Sequence, residues 1–342
     1  MTHTPTLLSF FCAGLLVACR ADPGLPVLEL QGHSMGTSFH ITVIDPAPDT
    51  NLDHLSSRIN DTLERIENIA STYRDTSDLG KFNLDESTDW ISVSSELCSM
   101  VASAVAVGRQ AGGAFDITIG PLVDLWGFGP GEMSGTPPSD AAIEAVRDAV
   151  GLDRLAVDCD QSRLRKSVAS MRIDLSGWAK GHAVDRVADL LDSIGLENYL
   201  VELGGELRVK GHNAANLPFA IAIENPAETA SHDLSIIHVT DTGIATSGDY
   251  RNFFEYGGVH YSHTLDPNTL RPVMHSLSAV TVIHPSTAYA DAMATALLVL
   301  GPTNGMQLAN SKELAALFAV STPEGLKYLP TEAFVAGNFL DR

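Results

Sequence analysis

The sequence predicts an α+β fold in which mostly antiparallel strands pack against helices. Three observations carry that expectation. Short apolar and aromatic runs flank Gly204-Gly205 and Gly257-Gly258, and paired glycines supply the positive φ that a tight hairpin turn needs. Helical periodicity is confined to a few long stretches set between runs of strands. The chain has 342 residues, 44% hydrophobic and 18% charged, enough to bury a substantial core as one large domain or two modest ones.

Taken in order, Leu28 to Ile44 alternates like a hairpin, interrupted at Gly32-His33-Ser34-Met35-Gly36-Thr37. A helix over 51–70 places Leu52, Leu55, Ile59, Leu63, Ile66 and Ile69 on one stripe. Residues 71–79 read as a polar loop, and a second helix covers 94–111. After a Gly- and Pro-rich stretch, a short helix over 139–150 precedes strands near 155–158 and 163–166. A helix over 178–194 follows, then strands Tyr199–Leu203 and Glu206–Lys210, and further strands at 219–224 and 234–240. Around Gly257-Gly258 a hairpin places Tyr261 and His263 on one face, with His260 and Ser262 on the other. Val280–Ile283 is a strand and Ala288–Leu300 a buried helix.

The first 18 residues hold an apolar run, Leu7 to Ala18, too short to span a membrane and suited to a signal peptide. Leu16-Val17-Ala18-Cys19 has the form of a bacterial lipobox, which makes Cys19 the expected lipidation site and new N-terminus; the other reading is an ordinary cleaved signal in which Cys12 and Cys19 are incidental. Residues 19–27 are then a tether, and 28–342 the folded body, lipid-anchored on the periplasmic side of the bacterial envelope. The remaining cysteines, Cys98 and Cys159, fit a disulfide or two buried thiols equally well. A net charge of -21 argues against nucleic acid as a partner. An anionic ligand would need local cations.

Four stretches collect such chemistry. The hairpin region brings Asp249, Arg251, His263 and Asp266 together. In Asp291-Ala-Met-Ala-Thr295 the i, i+4 spacing puts a carboxylate and a hydroxyl on one helix face, a donor pair suited to a hard cation such as Mg²⁺; Asp291 also fits a plain helix-terminus carboxylate. Asp174-Leu-Ser-Gly-Trp-Ala-Lys-Gly181 runs from a strand into a helix, suited either to phosphate held by free amides and Lys180 or to a glycine-eased turn with a surface Lys. Gly112 to Pro130 is dense in Gly and aromatic residues, suited either to a flat ligand or to core packing.

These segments occur with others in a fixed order: Met35-Gly-Thr37, Ser71-Thr-Tyr73-Arg, Gly113-Ala-Phe-Asp116, Gly120-Pro-Leu-Val-Asp-Leu-Trp-Gly-Phe-Gly-Pro130, Asp174-Leu-Ser-Gly with Ala179-Lys-Gly181, Glu202-Leu-Gly-Gly-Glu-Leu-Arg-Val-Lys-Gly211, Ala245-Thr-Ser-Gly-Asp-Tyr-Arg251, Tyr261-Ser-His-Thr-Leu-Asp-Pro267 and Ala290-Asp-Ala-Met-Ala-Thr295. In that order over about residues 28–325, the sequence resembles the ApbE family of FAD:protein FMN transferases. Ser38, Ile117, Trp178 and His182 depart from the family's usual residues.

The resemblance implies an ApbE-like fold, related to the T-fold, and a transfer of FMN from FAD to a Thr or Ser of an envelope acceptor protein, with AMP leaving. The implied acceptors are Nqr- and Rnf-type subunits carrying Asp-x-x-Ser/Thr-Gly-Ala-Thr. Carried over by position, Asp291, Thr295 and the Gly177 carbonyl would hold Mg²⁺. Met35, Tyr73, Ala114, Phe115, Asp116, Asp174, Lys180 and Leu265 would line the FAD site, and His263 would be catalytic. The alternatives are an FAD pyrophosphatase and an envelope lipoprotein that only binds flavin.

Overall fold

Met35 (φ +51°) and Gly36 (φ +74°) both occupy the left-handed region. Two such residues make the turn that matches strand twist, so β1 (Val27–Ser34) folds directly onto β2 (Thr37–Ile44). The expected interruption is therefore only two residues long. The computed structural model describes residues 24–48, 50–131, 135–223, 235–249 and 252–340. The expected signal peptide, Cys19 and Arg251 lie outside the described residues. Of the expected tether, Leu25 already donates to the Ala214 carbonyl at 3.0 Å, so the chain joins the body before Leu28.

Asn51 caps α1 (Leu52–Ala70), which buries Leu55, Ile59, Leu63, Ile66 and Ile69 while Leu52 stays exposed. The polar loop is shorter than expected. Ser77 Oγ accepts from Gly80 N at 2.8 Å and starts α2 (Asp78–Leu84). Then come β3 (Ile91–Ser92), α3 (Ser95–Gln110), α4 (Gly120–Leu125), α5 (Asp140–Val146), β4 (Leu155–Asp158) and β5 (Arg163–Lys166). Cys98 on α3 and Cys159 after β4 form a disulfide, which settles the choice the sequence left open.

The second half contains α6 (Ser176–Ser193), β6 (Tyr199–Leu203), β7 (Glu206–Lys210), β8 (Phe219–Ile223), β9 (Ser235–Val239) and β10 (Thr242–Gly248). The short strands β11 (Phe253–Tyr256), β12 (Val259–Ser262), β13 (Leu265–Asp266) and β14 (Arg271–Pro272) follow. Last are β15 (Leu277–His284), α7 (Thr287–Ser311), β16 (Ala315–Thr322), β17 (Gly325–Pro330) and α8 (Glu332–Ala336). Gly301 (φ +75°), followed by Pro302, breaks α7 where the sequence predicts its end.

Among the described residues, eight strands form one sheet in the order β1-β2-β6-β7-β10-β15-β16-β17, with every neighbouring pair antiparallel. This bears out the predicted class. Strand alternation then divides the core. Ile44, Val209, Ile244 and Ile283 face the β8–β9 hairpin and α8. Ala245, Val280 and Val282 face α7 on the opposite side.

Helices α6 and α7 are tied together at their N-terminal halves. Asp185 on α6 accepts from Thr287 N at 3.0 Å, Ala288 N at 3.1 Å and Ser286 Oγ at 2.9 Å, capping the start of α7. Gly181 permits the close approach: a Cβ there would lie 2.5 Å from the Thr287 carbonyl oxygen.

Candidate active site

The site forms where α7 crosses the kinked start of α6. Gly177 has non-helical angles (φ −89°, ψ 21°). Four residues on, Gly181 N is the donor that an unbroken helix would aim at the Gly177 carbonyl. Gly181 N donates to Oδ2 of the buried Asp291 carboxylate at 3.1 Å. One turn further along α7, the Thr295 hydroxyl faces Gly177, since a Cβ built there would sit 3.1 Å from Thr295 Oγ1. The same Cβ would be 3.1 Å from Phe115 Cε2, so Phe115 closes the third side.

Strand alternation supplies another hydroxyl. Ala245 and Ser247 share the face of β10 turned to α7, and Ser247 Oγ lies 3.0 Å from Thr295 Oγ1. The Asp116–Asp174 region is joined through the backbone, with Asp174 N donating to the Ile117 carbonyl at 2.7 Å. Asp116 is buried, and its Oδ1 accepts from Thr118 N at 2.7 Å and Thr118 Oγ1 at 2.6 Å. Burial pushes its carboxyl above the ordinary range, against those two bonds.

Lys180 links the metal-like corner to the rest. Its ammonium forms an ion pair with Glu206, a buried carboxylate at the start of β7. Burial pushes Glu206 up to about 7; Lys180 opposes the shift and Asp291 adds to it. Asp291 is also raised by burial and lowered by Lys180. Glu206 Oε2 has no partner among the described residues. Two buried carboxylates thus face one ammonium, a local excess of negative charge that a divalent cation would offset.

His263 follows β12 directly. Its backbone N and ring Nδ1 both reach the Asn252 carbonyl, at 3.0 and 2.9 Å. A carbonyl only accepts, so Nδ1 carries the proton and Nε2 presents its lone pair. Burial holds the ring below its ordinary value, and the nearby Lys180 charge lowers it further. The neutral base form is therefore favoured. Phe128 stands edge-on to the ring at 6.3 Å. The expected facing also holds in part: Tyr261 stacks on Phe254, whereas His260 stacks on Phe253.

Met35 stands in the β1–β2 turn and Tyr73 in the loop after α1. A cavity of about 710 Å³ is lined by Met35, Glu67 and Arg74 among others, and Tyr73, next to Arg74, is 70% exposed. A second cavity of about 530 Å³ includes Gly113, Asp116 and Asn268. Leu265, expected to line the FAD site, belongs to a separate apolar cluster. Its side chain is buried with Leu122, Trp126 and Phe254. Ala114 is likewise core.

By its chemistry the donor set of the Asp291 carboxylate, the Thr295 hydroxyl and the Gly177 backbone carbonyl fits a hard cation, which prefers oxygen ligands. No group of three or more His, Cys, Asp and Glu set to hold a metal occurs among the described residues. Any metal here would depend on these mixed oxygen donors and on its ligand. Sequence reasoning missed Glu206 and Ser247 as site residues. Both fall inside quoted motifs, but only the pairing of β6 with β7 and β7 with β10 brings them to Lys180 and Thr295.

The model of the ApbE family matches residues 35–318. A Vibrio cholerae protein named FAD:protein FMN transferase is 39% identical over 322 residues, covering 94% of this chain and 96% of that one. A Haemophilus influenzae protein of the same name is 34% identical over 324 residues, covering 93% of each. The solved structure of the flavin transferase ApbE from Vibrio cholerae superposes with a TM-score of 0.86 at 38% identity, covering 92% of this chain and 100% of that one.

Proposed function

The chain belongs to the ApbE family, and from that premise we propose that it is a Mg²⁺-dependent FAD:protein FMN transferase. The observation that carries the proposal is the meeting of Asp291, Thr295 and Gly177 at one corner, with Lys180 close enough to His263 to shift its ring.

Asp291, Thr295 and the Gly177 carbonyl would hold Mg²⁺, which when bound neutralises charge on the diphosphate of FAD. The Lys180 ammonium attracts the same diphosphate in a protein of net charge -21. Ser247 holds the Thr295 hydroxyl in place, and Phe115 keeps water from that side of the corner. His263 Nε2 accepts the proton of an acceptor Thr or Ser as its oxygen bonds to the FMN phosphorus. The bond from that phosphorus to the bridging oxygen breaks, and AMP leaves.

The acceptor is proposed to be an envelope protein with Asp-x-x-Ser/Thr-Gly-Ala-Thr. The protein itself is proposed to be lipid-anchored through Cys19 on the periplasmic side. The Cys98–Cys159 disulfide supports an oxidising compartment. The test is to incubate the protein with FAD, Mg²⁺ and a purified acceptor, then read flavin fluorescence on the acceptor band of a denaturing gel. Free FMN and AMP without labelling would mean a pyrophosphatase, and intact FAD a binding protein.

A further inference from the structure

His263 is the middle of three neighbouring backbone segments. On one side the β11–β12 register, Phe253 opposite Ser262, continues into the bond from His263 N to the Asn252 carbonyl at 3.0 Å. On the other, the β13–β14 register, Leu265 opposite Pro272, continues into the bond from Val273 N to the Thr264 carbonyl at 2.9 Å. One step further along that register sets Met274 opposite His263. Ser262 and Thr264, both buried, bracket the histidine, and Thr264 N donates to Ser262 Oγ at 3.1 Å. The imidazole thus stands on a fixed bend flanked by Asn252 and Met274.

These flanks lead into exposed apolar surface. Met274, at 72%, is the most exposed large hydrophobic side chain among the described residues. Phe253, next to Asn252, is 39% exposed and stacks on His260, ring centroids 4.2 Å apart. Strand alternation turns Phe254 the other way, into the cluster of Leu122 and Trp126. Methionine and aromatic side chains are enriched in protein interfaces, where the thioether adapts its shape and the rings bury large areas. His263 itself is recessed enough for burial to hold its ring below the ordinary value. A hydroxyl bound for Nε2 has to pass these flanks, and the body that carries it covers them. The occupant follows from the reaction: the hydroxyl that receives FMN belongs to a protein.

We propose that Met274 and Phe253 form the docking surface for the acceptor protein, which seats a protruding segment over them with its Thr or Ser at His263. The inference rests on the transferase reading above. The segment that fits has small apolar residues beside the hydroxyl, and once seated it keeps water from the base.

The test uses a purified acceptor domain carrying Asp-x-x-Ser/Thr-Gly-Ala-Thr and measures KM for the acceptor and KM for FAD in wild type, Met274→Glu, Phe253→Ala and Val335→Glu. Val335, 65% exposed on α8 across the sheet from α7, controls for the added charge. Met274→Glu is expected to raise KM for the acceptor about tenfold and Phe253→Ala about threefold, with KM for FAD moving less than about twofold. Val335→Glu should match wild type. As a second reading, Met274→Cys carrying a benzophenone should cross-link to the acceptor on illumination, and Val335→Cys should not. Circular dichroism and thermal unfolding report whether each variant folds. An unchanged acceptor KM in Met274→Glu, an equal rise in Val335→Glu, a parallel rise in KM for FAD, or no cross-link at position 274 overturns the proposal. Failure of wild type itself to label the acceptor overturns the transferase reading instead, so the two failures are distinct.

Discussion

Gly181→Ala tests whether the close crossing of α6 and α7 builds the site. The added Cβ would stand 2.5 Å from the Thr287 carbonyl oxygen and 2.8 Å from Ala288 Cα, both backbone atoms that cannot swing aside. Unstrained contacts lie near ~3.5 Å, so the helices must part by about 0.7–1 Å. Overpacking of this kind costs about 1–3 kcal/mol. The 3.1 Å bond from Gly181 N to Asp291 lengthens with the gap. A hydrogen bond to a charged group contributes about 1.5–3 kcal/mol, part of which is lost. Since a misplacement of about 1 Å lowers rates about 10²-fold, transfer should fall by that order even where the variant folds. Gly177→Ala is the internal comparison. Its Cβ would meet Phe115 Cε2 and Thr295 Oγ1 at 3.1 Å, and its φ of −89° carries no strain, so its stability loss should be smaller. Urea unfolding and the acceptor-labelling rate are the assays. Gly181→Ala with stability within about 0.5 kcal/mol of wild type and a normal rate would refute the reasoning.

Further outcomes follow from the same geometry. Asp291→Ala should abolish transfer, while equilibrium dialysis still detects FAD binding, because the proposed FAD cleft is lined by other residues. His263→Ala should slow transfer by about 10²–10⁴-fold with FAD still bound, measured by single-turnover labelling. In wild type the rate should fall on the acid side of 6.5, because burial holds His263 below that ordinary value and the base form is lost only when the ring protonates. The sign for stability agrees: between the folded value and 6.5 the unfolded chain binds the proton that the folded ring declines, so stability drops as pH falls through that window. That contribution should vanish in His263→Ala. Cys98→Ser opens a link between residues 61 apart and should cost about 4 kcal/mol by the loop-entropy relation, read as a lower midpoint in urea.

The antiparallel class and most elements were legible because glycine turns and helix stripes are local signals. Gly204-Gly205 and Gly257-Gly258 sit at the predicted turns, all four with positive φ. What escaped has physical reasons. α2 is only seven residues long and carries its signal in the single cap Ser77. The run Ala315–Val320 is apolar on both faces, so alternation does not mark β16, and among the described residues β17 pairs only with it. In the site, the Asp291/Thr295 pair was visible because i and i+4 on a helix share a face. The roles of Glu206 and Ser247 were not, since each depends on which strands neighbour in the sheet. Leu265 shows the reverse limit: a motif position identifies the residue, while its burial with Leu122, Trp126 and Phe254 follows only from the fold.

The most direct measurement of the central claim is the ratio of AMP released to flavin joined to the acceptor, taken with wild-type acceptor and with its target Thr changed to Val. Transfer at this site predicts equal amounts of AMP and labelled acceptor with the first, and neither product above background with the second. Release of AMP and FMN at an unchanged rate with the Val acceptor would contradict it, because water rather than the acceptor hydroxyl would then be the nucleophile beside His263.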